Sequence, residues 1–113
     1  MNALKKYKSD KSYFISLDTT PSYGPEKDLY ISRTYGFSTN NDREIENVYF
    51  ILRDSFRKRR IIRRITIFEF DPLYKSDTYY KKITEMNWTN IRSMRALIKA
   101  IDTLMTDVLL KNV

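Results

Sequence analysis

STNNDREIENVYFILRDSFRK, residues 38–58, decides the fold, because its spacing is helical while part of its composition suits a strand. Apolar side chains recur at Ile45, Val48, Tyr49, Leu52 and Phe56, at intervals that place them on one stripe of a helix. Ser38, Thr39, Asn40 and Asn41 offer N-caps. Acids at Asp42, Glu44 and Glu46 sit at the start and bases at Arg53, Arg57 and Lys58 at the end, complementing the helix dipole. The rival is a strand over residues 48–53, where Val-Tyr-Phe-Ile-Leu is strand-like in isolation. Periodicity, caps and charge all favour a helix over residues 42–58.

Working outward, residues 13–18 read as a strand, and Pro21, Gly24 and Pro25 end it in a loop. Residues 29–37, rich in Tyr, Ile and Thr, read as a second strand, giving a hairpin with a long connection. Beyond the helix, residues 61–70 suit a central strand, stopped by Asp71-Pro72, and residues 79–86 a shorter, more polar one. Asn87 is the expected cap of a last helix whose stripe is Ile91, Met94, Leu97, Ile98, Ile101, Leu104, Met105 and Val108. The expected class is α+β: a four-stranded antiparallel sheet with two helices on one face, order ββαββα. A shift of 49 residues lays Ile45, Val48, Tyr49, Leu52 and Phe56 on Met94, Leu97, Ile98, Ile101 and Met105, so the chain reads as two ββα copies.

At 113 residues, 42% hydrophobic and 31% charged, the sequence supports one domain, expected over residues 12–113. Residues 1–11 read as a flexible basic arm with nothing to bury. Cysteine and histidine are both absent, which removes disulfides, thiolate nucleophiles, imidazole catalysis and metal sites built on either residue. No cofactor, catalytic residue or metal ligand is expected. The one carboxylate set considered is Asp18, Glu69 and Asp71, near strand ends, as the basis of a metal-dependent nuclease. Asp before Pro or Thr-Thr-Pro is more simply a turn former. No apolar run approaches the roughly 18 residues that cross a bilayer, so the expected location is the cytoplasm, nucleoid or nucleus, with no membrane partner and no secretion.

Residues 53–64 hold seven bases and one acid, a net of +6, and residues 1–11 add +3, against +7 for the whole chain. The positive charge is therefore local. Arginine forks suit phosphates and also stack on bases, and such a cluster binds a polyanion by releasing counterions. The candidate nucleic-acid-binding residues are Lys5, Lys6, Lys8, Arg57, Lys58, Arg59, Arg60, Arg63 and Arg64, joined by Tyr79, Tyr80, Lys81 and Lys82 as a stacking strand. Tyr30 and Tyr35 are further stacking candidates, although tyrosine is also a good packing residue in strands. The blander reading of the cluster is a helix end whose bases pair with Asp71, Asp77 or Asp107. The partner expected is DNA or RNA. The alternative is a small modulator or inhibitor that docks its basic patch on an acidic protein surface. The last helix's stripe, running on to Leu109 and Leu110, suggests a homodimer contact.

Overall fold

The stripe of residues 42–58 folds as a helix. In a computed structural model that describes residues 4–20, 32–73 and 79–111, the elements are β1 (Tyr13–Thr20), β2 (Arg33–Ser38), α1 (Asp42–Arg57), β3 (Ile61–Phe70), β4 (Tyr80–Ile91) and α2 (Met94–Lys111). The Asn41 side chain caps α1 by accepting from the Glu44 amide, and Ile45, Val48 and Leu52 are buried. The sheet runs β2-β1-β3-β4 with every neighbouring pair antiparallel, so the chain is an α+β fold in the order ββαββα. The two ββα halves meet at the β1–β3 ladder. The 49-residue shift pairs Leu52 with Ile101 in the core, and sets Tyr49 and Ile98 alike at its margin.

Both helices pack on one face of the sheet, over Tyr13, Ile15, Leu17, Phe37, Ile65 and Ile67. Strand side chains alternate between faces, and the register gives the opposite face Phe14, Ser16, Asp18, Thr34, Gly36, Arg64, Thr66, Phe68, Tyr80, Lys82, Glu85 and Asn87. Among the described residues no helix covers that second face. β3 is the central strand expected, and its second side is open, with Phe68 half-exposed and Phe70 exposed.

Apart from small shifts, with β1 running on to Thr20 and α1 ending at Arg57, three boundaries differ from the sequence reading. β2 begins at Arg33, the proposed residues 29–31 and the hairpin connection lying outside the described residues. β4 runs on to Ile91, so Asn87 is a strand residue and not a cap. Ser93 caps α2 instead, its Oγ accepting from the Ala96 amide at 3.2 Å and its carbonyl from the Leu97 amide. The third difference is the N-terminal segment. Leu4 is buried to 3% exposure in the core, and the half-buried Tyr7 donates its hydroxyl to Asp102 on α2 at 2.7 Å. The expectation that residues 1–8 bury nothing fails at these two side chains, whose apolar bodies find a site between α1 and α2.

Candidate nucleic-acid interface

Residues 57–64 turn the corner from α1 into β3. The Arg59 amide bonds to the Phe56 carbonyl and the Arg60 amide to the Ser55 carbonyl, each at 3.0 Å, and Arg59 adopts φ 59°. This is the doubly bonded helix stop that usually places glycine in the left-handed position. Here an arginine occupies it, projecting a charge from the corner. β1 ends, β2 and β3 begin, and β4 ends at this same edge of the sheet, so Arg33 and Arg92 join Arg57, Lys58, Arg59, Arg60, Arg63 and Arg64 there.

Inside β3 the register slips on both sides of Arg63. Ile62 pairs with Thr19 and Arg64 with Asp18, leaving Arg63 unmatched on β1. On β4, three residues, Trp88, Thr89 and Asn90, oppose it between the pairs Arg64↔Asn87 and Ile62↔Ile91. Such bulges re-aim side chains. Arg63 Nε reaches Thr20 Oγ1 at 3.4 Å and Nη1 reaches the Thr89 carbonyl at 3.5 Å, while Thr89 Oγ1 donates to the Ile62 carbonyl. Consecutive arginines then line one cleft of about 440 Å³ with Asp18, Thr20, Ser32, Asn87 and Trp88. Trp88, at φ 58°, is 89% exposed.

The other end of the helix-free face carries aromatic rings. Phe14 lies 6.2 Å from Phe68 and 5.5 Å from Tyr80, and Tyr80 lies 5.8 Å from Phe70, ring centre to ring centre. Gly36 makes room for this cluster, since a Cβ there would fall 2.2 Å from Phe14 Cζ. Lys82 stands on the same face, paired with Glu85 at 3.5 Å. The Asn87 side chain bonds Glu85 and, with the charges of Lys82 and Arg64, holds its carboxyl below the usual carboxylate range.

The thirteen residues picked from sequence therefore divide. In the basic segment, Lys58 pairs with Asp54 at 3.0 Å and Arg64 with Asp18 at 3.6 Å; neither acid is among those expected, and Asp77 lies outside the described residues. Arg53, Arg57, Arg59, Arg60 and Arg63 have no ion-pair partner among the described residues. The N-terminal segment is the reverse: Lys5 pairs with Asp102, Lys6 with Asp42 and Lys11 with Glu69, each within 3.2 Å, and Lys8 is exposed. Asp42 opens α1 and Arg57 closes it, so Lys6 stands about 24 Å from the arginine corner and the two basic stretches do not form one surface.

Of the stacking candidates, Tyr80 and Lys82 lie on the helix-free face and Tyr79 is exposed at its corner, but Lys81, opposite Glu69, is on the helix side. Tyr35 also faces α1, its hydroxyl 3.5 Å from Ser55 Oγ, and Tyr30 lies outside the described residues. The carboxylates Asp18 and Glu69 sit opposite Arg64 and Tyr13, five β1 residues and roughly 17 Å apart, so they do not meet in a metal site. Among the described residues no three acids gather closely enough to hold a metal.

The sequence reading missed Phe14, Phe68, Phe70 and Trp88. For the phenylalanines a signal existed: they alternate out of phase with Ile15, Ile65 and Ile67, the residues that face the helices. No family model matches the chain, and none of the curated proteins or solved structures compared with it matches either.

Proposed function

We propose that the protein binds single-stranded nucleic acid across its helix-free sheet face, with the arginine corner as the main phosphate contact. The observation that carries this reading is the continuity of two surfaces. Arg63 and Arg64 line a cleft with Trp88 at one end of the open face, aromatic rings stand at its other end, and Arg57, Arg59 and Arg60, which like Arg63 have no carboxylate partner among the described residues, turn the corner beside it. From Arg64 to Phe70 is six β3 residues, roughly 20 Å, a length that several unstacked nucleotides would span. Exposed rings stack bases without demanding a sequence, and unpaired arginines supply the salt-sensitive part of the affinity.

A second reading rests on a different groove. Arg33, Lys58 and Arg60 surround Phe50, 64% exposed, in a cleft of about 340 Å³ on the α1 side, and an apolar side chain ringed by bases suits an acidic protein surface. Anisotropy titrations of labelled single-stranded DNA, single-stranded RNA and duplex DNA separate the two. The proposal expects single strands to bind more tightly than duplex, and Tyr80→Ala with Lys82→Gln to weaken them while Phe50→Ala does not. Duplex preference, or no binding at low salt, overturns it.

A further inference from the structure

We infer that the cleft between the β3 bulge and Trp88 is a nucleotide anchor, which seats one phosphate on Arg63 and stacks the base attached to that phosphate on the Trp88 ring. The inference deepens the reading above and rests on it.

Arg63 has the right chemistry to be an open receptor. Its guanidinium has five N–H donors, of which the two engaged ones make long bonds at 3.4 and 3.5 Å, and no acid among the described residues neutralises it. A phosphate would take the free donors in a bidentate grip. The Asp18 carboxylate that lines the same cleft is offset by Arg64 at 3.6 Å and accepts from the Thr34 hydroxyl. Thr20, Ser32 and Asn87 add neutral polar groups to the lining, and about 440 Å³ is within the range of small-ligand pockets.

Trp88 is the second half of the site. A bulky residue at φ 58° inside a strand is strained, and its ring is 89% exposed, so it contributes little burial in return. The bulge sets the only tryptophan ring of the chain in one cleft with an arginine that has no acidic partner among the described residues. Phosphate and base are adjacent parts of one nucleotide, and the base must be unpaired for its face to be reached, which makes the ligand a nucleotide of a single strand.

Trp88 is the only tryptophan, so its fluorescence reports the site directly. Thymidine 5′-monophosphate should quench it saturably, with thymidine and inorganic phosphate each binding at least tenfold more weakly. Arg63→Gln should weaken the monophosphate at least fivefold, and Trp88→Ala should do the same by calorimetry, with circular dichroism of both variants unchanged. Hexathymidylate with and without a 5′-phosphate locates the source: tenfold tighter binding of the phosphorylated strand identifies a strand end, and equal binding an internal phosphate. If the monophosphate binds no better than phosphate, or Arg63→Gln has no effect in a folded variant, the anchor is wrong. Should longer single strands still bind in that case, the open-face reading stands without it. If neither binds, both fall.

Discussion

Arg59 shows at a single residue how this chain trades stability for charge. It stands at φ 59° where glycine would relieve the backbone, in a sequence with only two glycines. Arg59→Gly should raise stability by about 1 kcal/mol in thermal melts, yet weaken polyanion binding. A destabilised variant would mean that the Arg59 side chain packs. Leu52, fully buried on α1, is an ordinary core residue, and Leu52→Ala should lower the unfolding free energy by about 2 to 5 kcal/mol in denaturant titration.

Tyr7 is a third informative residue. Burial, then the hydrogen bond to Asp102 and its negative charge, hold the phenol protonated far above its ordinary range. In the unfolded chain it ionises near the usual pKa of about 10. Its contribution is thus fully present below pH 10 and is lost as the pH rises further, because the unfolded state releases a proton that the folded state keeps. Tyr7→Phe should be less stable than the parent at pH 8, and the gap should narrow towards pH 11. A gap independent of pH would contradict the buried Tyr7–Asp102 bond.

At the level of elements, sequence periodicity was most reliable where one face is buried and the other wet. Ile45, Val48 and Leu52 on α1, and Leu97, Ile101 and Val108 on α2, announce their helices because burial follows their 3.6-residue spacing. β4 was harder to read. It is an edge strand with one open face, so its residues are mostly polar, and the bulge at Trp88 breaks the alternation that would have carried it to Ile91. The N-terminal segment was misjudged for a related reason: two side chains, Leu4 and Tyr7, are too few to make a pattern, although each finds a partner in the fold. Deleting residues 1–8 should therefore lower the melting temperature by several degrees, since it removes the buried Leu4 and the Asp102 contacts. An unchanged melting temperature would show that the segment is not docked in solution.

Over the whole molecule, charge is segregated. Of the N-terminal bases, Lys5, Lys6 and Lys11 are engaged with Asp102, Asp42 and Glu69, while the arginine corner at the opposite end of α1 is largely unpaired among the described residues. The corner was legible because its bases are close in sequence, six of the eight residues from Arg57 to Arg64. The face beside it was not. Phe14 from β1, Phe68 from β3 and Tyr80 from β4 become one surface only through the register, and Arg63 joins Trp88 only through a double irregularity in that register.

The central claim is that this corner contacts phosphates, and its most direct test is the salt dependence of single-strand affinity in the parent and in a variant carrying Arg59→Gln, Arg60→Gln and Arg63→Gln. Each phosphate contact contributes about 0.7 to the slope of log affinity against log salt for single strands. The account predicts a slope flatter by about 2 in the variant, with weakened binding to every sequence and an unchanged circular dichroism spectrum. An unchanged slope in a folded variant would contradict it.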